Sequence, residues 1–332
     1  MRARDARGGR TRLRTAAVAG ATAAALAATL SGCVTVHGEE SVVPAASRGE
    51  AAKVLRHFTA VSNKANKAND PGLNATIENG PLGAIDRAGL KARRSVHPKG
   101  NEKYEPLKLT GARFLIPKQA GWPKFFVADT RSNRSPDHRW LLVFARHSAD
   151  ARWKASYLSV LGSSEVPEFT TDAAGHAKAV PTGAGSGLVV PPGRLSREYV
   201  DYLQDGGDRF ADGPQTSGRR TNRKHTKQQT GKTTQFVDQP AQPPQYPVFA
   251  LRTEDGGAVA FFGSLHHTKE QYPRGYSPPV KDEAKALMKG KPKHSVIYSR
   301  MSQQAVSVPA KKNGGQVAFL NRIDGLTAAE GE

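Results

Sequence analysis

One cysteine occurs in the 332-residue chain, and its position limits what the rest can become. Cys33 closes Leu30-Ser31-Gly32-Cys33, behind six arginines between Arg2 and Arg14 and an alanine-rich apolar run from Ala16 to Leu30. That run is shorter than the ~20 residues a membrane-spanning helix needs, and alanine contributes little transfer energy. The arrangement reads as a signal peptide over residues 1–32 ending in a lipobox, with cleavage before Cys33. The Cys33 thiol then carries a diacylglyceryl thioether. Together with a further acyl chain such as palmitate it holds the protein to the membrane, because one chain alone anchors only marginally. The expected location is the extracytoplasmic face of the cell membrane. With its one thiol acylated the exported chain has no disulfide, so its folded state must rest on packing.

Residues 33–332 are long enough for two ordinary domains. The whole chain has a formal charge of +20, of which the leader contributes only its six arginines less Asp5. So basic a chain is drawn to anionic surfaces. Outside the cell membrane these are anionic lipid and wall polymer; nucleic acid is not an expected partner. Hydrophobic content of 37% suffices for modest cores.

Residues 33–46 read as a tether. Ser47 and Glu50 have capping-box spacing, and Val54, Leu55, Phe58, Val61 and Ala65 follow at helical period, which predicts a helix over about 48–67. A second helix is expected from Pro81 to Lys91. From Tyr104 the pattern changes to short aromatic and branched runs, Phe125-Phe126-Val127 and Trp140-Leu141-Leu142-Val143-Phe144 among them, separated by turn residues. A first α+β domain is assigned to 47–165, and a Pro/Gly-rich linker to 166–194. A second α+β domain, 195–326, repeats the order of helix, then strands. Its clearest hairpin joins Pro247–Leu251 to Ala258–Phe262 through Glu254-Asp255-Gly256-Gly257. Between them lies an exposed basic loop, 213–246, and the tail 327–332 is expected to fray. The fold class is α+β, as two similar modules, each a helix packed on a curved antiparallel sheet.

Val34-Thr35-Val36-His37-Gly38-Glu39 behind the lipobox, Gly121-Trp122-Pro123, Val166-Pro167-Glu168-Phe169 and Leu251-Arg252-Thr253-Glu254-Asp255-Gly256-Gly257 resemble a family of actinobacterial lipoproteins of unknown function. The resemblance spans nearly the whole exported chain and implies a location rather than a chemistry. By element order alone each module is also similar to the NTF2-like and cystatin-like folds, scaffolds that host enzymes and binders alike.

Sites of chemistry are few. No zinc motif, phosphate loop or nucleophile elbow is present, so no catalytic, metal or cofactor residue is assigned. His266 and His267 with Glu270 lie close in sequence, but neighbours on a strand face opposite ways, so only one histidine serves an inward site. Ser186 lies in glycine-rich sequence without elbow spacing, and Asp205, Asp208 and Asp212 lack calcium-loop spacing. The segment Arg219, Arg220, Arg223, Lys224, Lys227, Lys232, uninterrupted by acid, is the candidate contact with an anionic surface, each basic residue near such a membrane contributing ~1 kcal/mol. The reading is a non-catalytic binding module that contacts a cell-envelope component. The alternative is an envelope hydrolase or lyase with its site in a concave α+β cavity.

Overall fold

The structure, a computed structural model, describes residues 41–332; Cys33 and its lipobox lie outside the described residues. Strand β1 (Val43–Pro44) leads into helix α1 (Arg48–Ala68), whose first turn is closed by the Ser47 hydroxyl accepting from the Glu50 amide at 3.0 Å. Asn69 in the left-handed region ends it. Helix α2 (Pro71–Asn74) is one turn, and α3 (Gly80–Val96) runs a turn beyond the expected end, because nothing between Lys91 and Val96 breaks a helix.

Strand β3 (Lys118–Gln119) pairs with β1. Strands β2 (Leu109–Leu115), β4 (Lys124–Ser132), β5 (Ser135–Arg146) and β6 (Lys154–Gly162) form an antiparallel meander in chain order. One face of this sheet, through Phe126, Ala128, Leu142, Phe144 and Ala155, packs on Leu55 and Phe58 of α1. Phe58 and Phe144 meet edge to face at 5.5 Å.

Helices α4 (Leu195–Asp205) and α5 (Ser217–Thr226) follow. A seven-stranded sheet then assembles from β7 (Gln228–Gln229), β8 (Lys232–Pro240), β9 (Phe249–Arg252), β10 (Ala258–Gln271), β11 (Met288–Gly290), β12 (Ser295–Val308) and β13 (Ala318–Gly331), with helix α6 (Asp282–Ala286) before β11. The strand order is β11-β13-β12-β10-β8-β7, with β9 beside the first residues of β10. The expected hairpin is the β9–β10 turn, with Gly256 at φ 82°. The fold is α+β.

Three expectations change. The basic stretch assigned to an exposed loop is a helix, α5, followed by strand β8, which finds its hydrogen bonds along β10. The tail does not fray: β13 runs to Gly331, paired with β12 and β11, and the Glu332 carbonyl accepts from the amides of Lys293, His294 and Ser295. Residues 166–194, expected to link two modules, are stitched to both halves instead. Val180 donates to Ala250 and Arg252 to Lys178, while Ala177 donates to Ile116. Between the sheets Phe125, Val127, Leu141, Val143 and Tyr157 from one side interleave with Phe249, Leu251, Val259, Phe261 and Ala305 from the other. Residues 41–332 thus form one compact unit with a core between its sheets. Helix α3 reinforces the join, since it lies against β6 and also against β12 and β13. Gly263 and Gly325 permit that approach: a Cβ at Gly263 would stand 2.9 Å from Pro81, and one at Gly325 would stand 2.6 Å from Ile85.

Candidate functional site

Two polar groups are built into this frame. The first lies where α3 closes over the small sheet. Leu82, Asp86 and Leu90 share one stripe of α3, four residues apart, so an acid sits among inward leucines. Glu78, just before the helix, is 2% exposed. The two carboxyl groups hydrogen-bond to each other, and Asn74 Nδ2 donates to Glu78 Oε2 at 2.7 Å. Burial, reinforced by the charge of Asp86, holds the Glu78 carboxyl well above the usual range. Burial also pushes Asp86 up to about 6, against the pull of Arg93 and of the Glu78 hydrogen bond. Two buried carboxyl groups in contact favour sharing one proton over carrying two charges. The pair faces a cavity of about 210 Å³ whose wall includes Phe58, Tyr104, Leu107, Trp140 and Leu158. The Trp140 Nε1 donor on that wall is buried and has no partner among the described residues. Asp86 also reaches a larger groove, about 710 Å³, between α3, α6 and strands β8, β10, β12 and β13 of the large sheet. Arg93, Lys281 and Arg300 line that groove with Glu270, Tyr272 and Tyr298. Lys232 Nζ and the Tyr272 hydroxyl both bond to Glu270, at 2.7 and 3.0 Å.

The second group lies beneath α5. Residues 219 and 223 are one turn apart and project from the same side of the helix. Arg223 clasps Asp238 of β8 with both nitrogens, at 2.5 and 2.7 Å. Asp238 Oδ1 lies 2.5 Å from His266 Nδ1, and His266 Nε2 lies 2.9 Å from Ser264 Oγ and 2.8 Å from Ser302 Oγ. Gln304 Nε2 donates to both hydroxyls. Burial tends to raise Asp238, but the hydrogen bonds from Arg223 and His266 outweigh it and hold the carboxyl far below its usual range. Burial drives His266 down to about 4 despite Asp238, so the imidazole is neutral, with its proton on Nδ1 facing the carboxylate. Aspartate, histidine and serine stand in the order that activates a serine nucleophile. Both hydroxyls are fully buried, however, so no substrate reaches them in this state.

The residues singled out by sequence separate accordingly. Arg219 and Arg223 turn inward, and Lys232 is tied to Glu270. Arg220 stacks over Tyr202 at 5.5 Å, while Lys224 and Lys227 are exposed. Of the two histidines His266 is the buried one, and His267 bonds to Ser299 on the other face. Ser186 is buried with its hydroxyl accepting from the Leu188 amide. Among the described residues no cluster of three or more His, Cys, Asp or Glu is arranged to hold a metal. Sequence reasoning missed Glu78, Asp86 and Asp238. Asp86 had a legible signal, an acid in register with Leu82 and Leu90; the burial of Glu78 and Asp238 had none.

Residues 42–331 match the family model described as a domain of unknown function, DUF8094. The chain belongs to that family. It is 47% identical to a Streptomyces coelicolor protein named an uncharacterized lipoprotein, over 97% of each chain. It is equally identical to a Streptomyces avermitilis uncharacterized lipoprotein, over 100% of this chain and 99% of the other. A second Streptomyces coelicolor uncharacterized lipoprotein is 27% identical over 86% of this chain and 81% of its own. No solved structure matches. The relationship makes this family member a lipoprotein, held to a membrane. Among the described residues no helix is long and apolar enough to cross one.

Proposed function

We propose that the protein is a binding lipoprotein of the cell envelope, anchored through acylated Cys33 to the extracytoplasmic face of the membrane. The observation that carries the binding reading is the 710 Å³ groove, whose wall alternates Arg93, Lys281 and Arg300 with Asp86, Glu270 and two tyrosines. Paired charges and phenol rings offer hydrogen bonds and flat apolar surface together, which suits a polar envelope component better than an acyl chain. The exposed Lys224 and Lys227, with Arg220, add a weaker attraction to anionic lipid or wall polymer. The catalytic alternative has one observation in its favour, the proton-sharing Glu78–Asp86 pair beside a cavity.

The test is sedimentation of the full chain, in detergent, with purified cell-wall sacculi. Binding by the parent and about tenfold weaker binding by an Arg300→Gln, Lys281→Gln double variant is the expected result, a difference of about 1.4 kcal/mol. Equal sedimentation of the two would remove the groove as the binding site. Release of soluble wall fragments by the parent, absent in Glu78→Gln, would favour the enzyme.

A further inference from the structure

The arginines beneath α5 carry more charge than the structure around them answers. Arg322 of β13 has a side chain only 4% exposed. Its Nη1 donates to Asp324 at 2.9 Å, but Nε and Nη2 are buried with no partner among the described residues. The Nε of Arg219 is buried and unpartnered as well. Both border one network: Arg322 stands opposite Gln304, whose amide bonds Ser264 and Ser302 beside His266, and Arg219 is one turn from Arg223, which holds the Asp238 partner of that histidine. The charge of Arg322 accordingly adds to burial in lowering Arg219, to about 10. The nearby acids are already committed. Asp238 is held by Arg223 and His266, and Asp324 is shared between Arg322 and Arg300, the latter at 3.6 Å. Gln304, opposite Arg322 in the strand register, offers a single free oxygen, too few for three donors. A buried charged donor without an acceptor is among the costlier features a fold can hold, and here three come from two adjacent guanidinium groups.

We propose that Arg219 and Arg322 form a binding site for a small oxyanion, with a phosphate group as the ligand class. A tetrahedral oxyanion presents several acceptors at once, and planar guanidinium groups meet it with parallel charge-assisted bonds. Arg223 adds positive charge from the same side, while neutral His266 adds none. Because Arg219 is only half-buried, the site opens on the α5 side rather than into the core. It is separate from the groove proposed above, and neither reading depends on the other.

Thermal unfolding of the full chain, followed by tryptophan fluorescence, tests this with inorganic phosphate against chloride at matched ionic strength. Phosphate should raise the midpoint by about 2 °C or more. Lys224→Gln should keep the increase, and Arg219→Gln should lose it. Arg322→Gln should lose it too, and if that variant fails to fold, Arg219→Gln decides, since Arg219 makes no ion pair among the described residues. Glycerol phosphate run alongside separates the sources. A response to the free ion alone supports a closed site, and a response to both supports one that admits a phosphorylated head group or polymer end. No phosphate response in the parent would overturn the proposal. So would an equal response in Arg219→Gln, since that is general salt exclusion, or loss in Lys224→Gln, since that is surface charge.

Discussion

Glu78 and Asp86 show how one residue pair sets a pH dependence for the whole fold. Their carboxyls are raised in the folded state, so the native protein binds more protons than the unfolded chain once the pH exceeds their ordinary values of 4.5 and 3.8. Stability from this pair is complete in acid and is lost as pH rises through the raised values of the two groups, about 6 for Asp86. His266 acts in the opposite direction: with its value lowered to about 4, stability falls as pH drops below 6.5. The two effects separate in a difference measurement. Gln at 78 keeps a donor toward Asp86 and removes the proton that folding must otherwise take up. Glu78→Gln should therefore stabilise by about 1–3 kcal/mol at pH 8 and change little at pH 4, as measured by urea unfolding of both proteins. The same increment at both values would show that the pair is not protonated as described. Only Asp86 was legible beforehand, as an acid on an apolar stripe. Burial of Glu78 depends on β6 closing over residues 77–79, which no local pattern encodes.

At the scale of elements, α5 and β8 mark the limit of reading by hydropathy. Arg219–Lys232 has no apolar residue to bury, so an exposed loop was the natural expectation. What fixes α5 is an ion pair: Arg223 to Asp238, with its guanidinium 4.9 Å over the Phe236 ring. The acceptor lies 15 residues away, on a strand hidden among prolines and glutamines. Arg223 and Lys224 are adjacent, both basic and alike in helix propensity, yet their fates should differ. Arg223→Gln leaves Asp238 buried beside an imidazole that does not readily protonate, and should destabilise by about 3–5 kcal/mol. Lys224→Gln should stay within about 0.5 kcal/mol. Guanidinium chloride midpoints compare them directly, and equal midpoints would mean that the helix is held some other way. The strand runs were easier. Alternating turn residues and branched runs marked β4, β5, β9 and β10 correctly.

For the whole molecule, the question is whether the two sheets fold together. The sequence holds a clue in the runs Phe125–Ala128, Leu141–Phe144 and Ala258–Phe262, which are apolar without alternation. A strand with one wet face alternates; a continuous run means both faces are covered. Here the even positions of β4 and β5, Phe126, Ala128, Leu142 and Phe144, meet α1, and the odd ones meet the other sheet. In β10 the division is between the core under α4, with Ala258, Ala260 and Phe262, and the core between the sheets, with Val259 and Phe261. Cutting the chain near residue 180 would expose Phe125, Tyr157, Phe249 and Phe261 to water, each a loss of roughly 1.5–3 kcal/mol. The bonds from Val180 to Ala250 and from Arg252 to Lys178, which cross between the halves, would also be lost. The halves should therefore unfold as one. All three tryptophans, Trp122, Trp140 and Trp153, lie in the first half, whereas most strand residues lie in the second. Tryptophan fluorescence thus follows the first half, whereas far-ultraviolet circular dichroism sums the helices and strands of both. In a urea titration of the full chain the two signals should give the same midpoint and slope. A fluorescence transition that runs ahead of or behind the dichroism would show that the shared face between the sheets does not couple them.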